Sequence, residues 1–306
     1  MKRDLLAIHD LTKNELEWLM KRALDLKAGV DAHKYPLAGK SFGLFFEKPS
    51  TRTRVSFEVG IYQLGGQSLY LNPKEIQLGR GETIADTARV LSRYLTAVIF
   101  RTYSHSSIEE FASFATVPLV NGLSDLHHPC QALADLMTII ERKGALKGIR
   151  LAYIGDSNNV ANSLIEASAL TGIDLVIACP ECCAPDPGIL QRARSSAQGT
   201  ITIVRDPVAA VANADVVYTD VWVSMGQEKE AENKKAQFAE YQINSALLSR
   251  ADKDALVLHC LPAHRGQEIT DEVIDGPRSA VFDQAENRLH TEKALLEFLV
   301  TPDCYQ

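Results

Sequence analysis

The chain has 306 residues, 46% hydrophobic and 23% charged, a globular composition long enough for two domains with cores of their own. Its formal charge of −7 argues against a nucleic-acid partner, which asks for a basic face. No apolar run approaches the roughly 20 residues that span a bilayer, and the opening MKRDLLAIHD lacks the sustained apolar stretch of a signal peptide, so no membrane role and a cytoplasmic location are expected.

The first predicted element is a helix. In LTKNELEWLMKRALDLK, Thr12 and Glu15 have the spacing of a capping box, and Leu16, Leu19, Met20 and Ala23 form an apolar stripe. Four short apolar runs follow: SFGLFF (41–46), SLYL (68–71), AVIF (97–100) and VPLV (117–120). CQALADLMTIIERKG reads as a helix from about Pro129 to Arg142, stopped by Gly144 and expected to bridge two domains. Five more runs come next: LAYIG (151–155), LVIAC (175–179), ITIV (201–204), DVVYT (215–219) and ALVLHC (255–260). TEKALLEFLV (291–300) is a final helix. Short apolar runs separated by amphipathic stretches are the pattern of parallel strands joined by crossover helices, so an α/β fold with two mainly parallel sheets is expected.

The six cysteines, Cys130, Cys179, Cys182, Cys183, Cys260 and Cys304, are too few for a disulfide framework in a chain of this length. CPECC (179–183) holds one C-x-x-C without a second pair at similar spacing, so it reads as a loop after a strand and no metal is expected.

Polar residues follow the apolar runs. Ser50, Thr51, Arg52 and Thr53 come after the first, Arg101 after AVIF, and Asn121, His127, His128 and Gln131 after VPLV. In the second half Asp156, Asn158, Asn159, Asp220 and the pair His259–Cys260 hold equivalent places. Ligands of open α/β sheets bind outside the carboxyl ends of the strands, so a cleft between two such edges is expected. FEKPSTRTR (46–54) suits an anion, because a helix N-terminus offers backbone N–H groups, hydroxyls add donors and a guanidinium forks onto phosphate. Ser50 as an ordinary N-cap beside two solvated arginines is the alternative. GRGET (79–83) lacks the lysine of a Walker loop, and YIGDSNNV has one glycine where a dinucleotide fingerprint needs three.

Together, FEKPSTRTR, HHPCQALAD, DVWVSMGQE and HCLPAHRG resemble the signature segments of the ornithine carbamoyltransferases, within the aspartate/ornithine carbamoyltransferase superfamily. The resemblance runs from the first helix through QAENR (284–288) to the last. It implies transfer of the carbamoyl group of carbamoyl phosphate to the side-chain amine of L-ornithine, giving L-citrulline and phosphate, with no cofactor and a homotrimeric assembly. It also implies a carbamoyl phosphate-binding domain over 1–143 and an ornithine-binding domain over 144–290, with the terminal helix 291–306 packing back on the first.

Ser50, Thr51, Arg52 and Thr53 match the segment that holds the phosphate, and Gln77 matches a further donor. Arg101 matches an arginine on both phosphate and carbonyl oxygens; His128 and Gln131 match residues at the carbamoyl end; Arg288 is expected to reach the same substrate from the far side of the cleft. Asn159, Asp220, Ser224 and Met225 match ornithine-binding positions, and Cys260 and Leu261 those where the two substrates meet. Arg52, Arg101, His128 and Cys260 are the catalytic candidates. His128 would donate to the carbonyl oxygen as negative charge grows there. Cys260 is expected to position rather than attack, because adjacent strand residues point to opposite faces and His259 would then aim away from it. The start of the charged stretch 224–242 reads as a lid over ornithine, with carbamoyl phosphate binding first.

Three other readings compete. A related carbamoyltransferase would use putrescine, an acylated ornithine or aspartate, against which the intact DVWVSMG speaks. A nicotinamide oxidoreductase is disfavoured by the missing glycine fingerprint, and a non-catalytic binding protein by the full set of polar positions.

Overall fold

The structure, a computed structural model, describes residues 2–31, 33–72, 81–223 and 236–301. The chain forms two compact units, residues 1–137 with 286–306, and residues 138–285.

The first unit is built on a parallel sheet of four strands, β1 (Ser41–Phe46), β2 (Gln67–Leu71), β3 (Ala97–Arg101) and β4 (Leu119–Leu123), in the order β2-β1-β3-β4. Among the described residues, α1 (Lys13–Lys27), α2 (Thr51–Gln63), α3 (Ile84–Leu91), α4 (His105–Phe114) and α5 (Pro129–Lys143) are helices that accompany them. Strands buried on both faces read as unbroken apolar runs rather than alternations, which is why SFGLFF is a strand. Phe45, Phe100 and Phe111 pack edge to face in the core, with ring centroids 4.6 and 5.5 Å apart. The Thr12 capping box forms as its spacing predicts, with Thr12 accepting from the Glu15 amide and Glu15 from the Thr12 amide.

The second unit carries a parallel sheet of five strands, β5 (Arg150–Ile154), β6 (Asp174–Ala178), β7 (Ile201–Val204), β8 (Val216–Thr219) and β9 (Leu256–His259), in the order β7-β6-β5-β8-β9. Helices α6 (Asn159–Thr171), α7 (Pro187–Ser196) and α8 (Pro207–Val211) make crossovers. One side of this sheet packs on a cluster that includes Trp222 and Phe238, whose rings stack at 5.6 Å.

Strand order locates the places where a ligand can enter each sheet. In the first, the chain runs outward from β1 to β2 and then crosses to β3 on the other side of β1. In the second it runs outward from β5 through β6 to β7 and then crosses to β8. The connections leave in opposite directions at β1/β3 and at β5/β8, opening a crevice at the carboxyl ends of those strands.

Two elements differ from their expected extents. The fourth strand is Leu119–Leu123 rather than 117–120, running on through Asn121 and Gly122. The last helix is Val281–Val300, ten residues longer at its start than the apolar pattern of 291–300 indicates. Among the described residues no helix is long and apolar enough to cross a membrane.

Candidate active site

At the β1/β3 switch point of the first unit, the chain leaves β1 and starts α2 at Thr51 with Ser50 as N-cap. Ser50 Oγ accepts from the Thr53 amide at 3.2 Å and donates to Thr53 Oγ1 at 3.1 Å. The capping reading of Ser50 is therefore correct, and compatible with an anion site, because the first-turn amides of a helix point out of its end. The two arginines behave differently. Arg54 pairs with Glu58 at 2.9 Å and lies 3.8 Å over the Tyr70 ring, whereas exposed Arg52 projects its charge onto His128.

Arg101 closes β3 and is buried, with its Nε donating to the Lys48 carbonyl at 3.1 Å. The pairing of β3 with β4 slips here: Phe100 faces Asn121 but Arg101 faces Leu123. A bulge of this kind re-aims the side chain at the strand end. Gly122 is the residue skipped, and a Cβ there would meet Ile99 Cγ2 at 3.3 Å and Arg101 Cβ at 3.4 Å.

His128 precedes the first residue of α5 and is buried. Burial pushes its imidazole well below the usual histidine range, and the charges of Arg288, Arg101, Lys48 and Arg52 push it further down. At neutral pH it is an uncharged donor among four cations, a composition suited to a polyanion with an adjoining carbonyl. Cys130, two residues on, has its thiol pushed up to about 12 by burial and is inert as a nucleophile.

Arg288 belongs to the first unit, not to the second as the 144–290 boundary implies. It sits within the long C-terminal helix, 3% exposed. Its Nη1 donates to Gln131 Oε1 at 3.1 Å and its Nη2 to Thr53 Oγ1 at 3.2 Å. Its Nε and Nη2 both donate to Glu292 Oε1, at 2.9 and 2.7 Å. Gln131 passes the order on by donating to Asp135 Oδ1 at 2.8 Å. One guanidinium thus ties α2, α5 and the C-terminal helix together behind the helix terminus.

In the second unit, Gly155 ends β5 with φ of 141°, a conformation that favours glycine and lets the chain turn toward α6. Asn158 caps α6, accepting from the Val160 amide at 2.9 Å, and its Nδ2 donates to Asp220 Oδ2 at 2.7 Å. Asp220 lies just past β8 and accepts from Cys260 Sγ on its other oxygen, Oδ1, at 2.8 Å. Asn159 is half-buried at the first position of α6.

The HCLP segment corrects one expectation. β9 ends at His259, so Cys260 lies outside the strand and the two side chains are not on opposite faces. The candidate ligand atoms of Asp220, His259 and Cys260 all lie within 4.8 Å of one another. His259 is nonetheless committed elsewhere. Its Nδ1 accepts from the Leu261 amide at 2.8 Å, which leaves Nε2 to donate to Glu268 Oε1 at 3.1 Å. It therefore has no lone pair with which to deprotonate the thiol, whose hydrogen points to Asp220. Leu261 has φ of 55°, in the left-handed region, and a cis bond to Pro262.

Ser50, Thr53, Arg101, His128, Gln131 and Arg288 converge in one unit, and Asp220, Cys260 and the start of α6 in the other. Thr51 is exposed at the mouth of α2. Gln77, Ser224, Met225 and most of the stretch read as a lid lie outside the described residues. Sequence reasoning assigned no role to Lys48 or Glu292, and placed Asn158 only among the polar groups at a strand end. Lys48 lies inside the quoted motif and Asn158 beside Asn159; Glu292 carries a helical signal only, four residues after Arg288.

Residues 3–141 match the family model described as aspartate/ornithine carbamoyltransferase, carbamoyl-P binding domain, and residues 147–299 the companion Asp/Orn binding domain. The chain is 55% identical over 305 residues to an ornithine carbamoyltransferase of Syntrophus aciditrophicus, covering 98% of this chain and 100% of that relative. The solved ornithine carbamoyltransferase of Pyrococcus furiosus superposes with a TM-score of 0.94 at 50% identity, covering 98% of this chain and 97% of that one. An anabolic ornithine carbamoyltransferase of Campylobacter jejuni superposes with a TM-score of 0.93 at 39% identity, covering 99% and 100%. With both family domains matched in order, and four cations gathered about His128 in the first unit, the chain belongs to the aspartate/ornithine carbamoyltransferase family.

Proposed function

We propose that this protein is an ornithine carbamoyltransferase acting in arginine biosynthesis. The observation that carries the donor half is the set of four cations, Arg288, Arg101, Lys48 and Arg52, around an uncharged buried His128. Carbamoyl phosphate binds with its phosphate at the N-terminus of α2, held by Ser50, Thr51, Arg52 and Thr53, with Gln77 as a further donor. Arg101 spans phosphate and carbonyl oxygens, Gln131 holds the carbamoyl amide, and Arg288 backs the phosphate. The ornithine side-chain nitrogen attacks the carbonyl carbon as a neutral amine. Negative charge then grows on the oxygen, where the His128 N–H and the Arg52 and Arg101 guanidiniums stabilise it, and phosphate leaves with the C–O bond electrons and takes up the proton released by the attacking nitrogen.

The second unit binds L-ornithine. Asp220, held by Asn158 and Cys260, is an acceptor for a substrate ammonium. Asn159, Ser224 and Met225 fix the amino-acid end. Cys260 is a positioning group, and the Leu261 carbonyl accepts from the carbamoyl amide.

The first domain of this reading is the carbamoyl phosphate domain with the terminal helix, and the second is the ornithine domain. A homotrimer in the cytoplasm completes it. Val55, Val59 and Tyr62 are spaced one helical face apart on α2 and are 49, 37 and 80% exposed, an apolar stripe suited to a second copy. Citrulline formation from carbamoyl phosphate should proceed with ornithine and fail with putrescine, an acylated ornithine and aspartate. Turnover of one of those acceptors in preference to ornithine would overturn the assignment.

A further inference from the structure

The Arg288 guanidinium has a buried partner of its own in Glu292. Glu292 is 1% exposed, and its Oε1 alone receives two of the Arg288 hydrogen bonds. The same Nη2 that donates to Glu292 also reaches Thr53 Oγ1, a hydroxyl in the first turn of α2. An anion at that turn and the Glu292 carboxylate therefore draw on the same N–H groups. Two anions sharing one buried guanidinium repel, and the carboxylate, cut off from water, disperses its charge on Arg288 and the Ser56 hydroxyl.

We propose that Glu292 is the proton acceptor of the anion site: when the phosphate of carbamoyl phosphate settles against Arg288, the Glu292 carboxylate takes up one proton from solvent and releases its share of the guanidinium. The step forms one O–H bond at the expense of a hydronium or buffer acid and breaks no bond of the substrate. It rests on the assignment of carbamoyl phosphate to the α2 terminus.

The surroundings leave Glu292 as the group that responds. On its own helix it faces Arg288. From α5, Cys130 stays a protonated thiol, Asp135 accepts from Gln131 at 2.8 Å, and from α2 the neighbour is the Ser56 hydroxyl. His128 is already uncharged at neutral pH. Burial lifts the Glu292 carboxyl to about 7 against the pull of Arg288, so it is poised where a modest push protonates it.

The test is calorimetry on the full chain with phosphonoacetamide, a non-hydrolysable phosphonate amide, in two buffers of different ionisation enthalpy. Above neutrality the wild-type protein should take up a fraction of a proton that the Glu292→Gln variant does not. Its affinity should fall from about pH 7 to about pH 9 more steeply than the variant's, the ligand's own titration being common to both. Equal proton uptake in the two proteins overturns the proposal. If Glu292→Gln does not fold, infrared difference spectra of the wild type decide. A protonated-carboxyl band that appears with ligand supports the proposal, and its absence overturns it. If the phosphonate binds Arg52→Ala as tightly as wild type, the anion-site assignment itself fails, and this inference with it.

Discussion

His128 shows how burial sets chemistry at a single position. A histidine ordinarily titrates near neutrality, but this one lies below that range because it is buried and faces four cations. An uncharged imidazole keeps one ring N–H with which to donate to a developing oxyanion. Replacing it with asparagine should lower kcat by about 10²–10³, the usual loss for one oxyanion donor, as read in steady-state citrulline formation. The same shift has a stability consequence. The unfolded chain binds the proton near pH 6.5 and the folded chain only lower, so stability is lost as pH falls below about 6.5. His128→Asn should flatten that acid loss in urea unfolding measured at several pH values. Glu292 works with the opposite sign: its raised folded value makes stability fall as pH rises from about 4.5 to about 7. The wild-type and variant curves must therefore be compared by difference.

Two helix starts in the first unit use the same capping chemistry for different ends. Thr12 caps α1 and Ser50 caps α2, each accepting from the amide three residues on. Thr12→Ala should cost about 1 kcal/mol of stability and leave turnover unchanged. Ser50→Ala should cost a similar amount and also raise KM for carbamoyl phosphate, because its hydroxyl lies in the turn proposed to hold the phosphate. Chemical denaturation together with kinetics separates the two. The elements most open to a sequence reading were those with a periodic or unbroken apolar pattern, such as α1 and SFGLFF. β4 ran past its apolar residues because Gly122 is there to fit against Ile99 and Arg101, which a linear reading takes for a breaker. The C-terminal helix began ten residues early because Gln284, Asn287 and Arg288 are polar residues buried by partners distant in the chain.

For the molecule as a whole, the proposed reaction demands a neutral amine. An alkyl ammonium with a pKa near 10.4 costs roughly 4–5 kcal/mol to deprotonate at pH 7. Turnover should therefore rise with pH through the neutral range. A flat profile from about pH 6 to about pH 9, with the chemical step shown to limit the rate, would contradict attack by an amine that must first lose its proton. The same two-unit plan explains why one chain can treat two unlike substrates. Each unit repeats a parallel sheet with a topological switch, but one switch point gathers guanidiniums and the other a carboxylate with amides.

The order of residues along the chain was enough to establish nine parallel strands with their crossover helices, and the polar groups at the strand ends, since burial of both sheet faces and strand polarity leave direct marks in composition. The four motifs were specific enough to point to the family. What the linear order left open were the relations between residues far apart in it. Arg288 joins Thr53 and Gln131 across 235 and 157 positions, Cys260 gives its hydrogen to Asp220 across 40, and His259 turns back on Leu261 instead of away from Cys260. Such contacts depend on which helix packs on which sheet and where a strand stops, and those are properties of the packed core rather than of any local pattern.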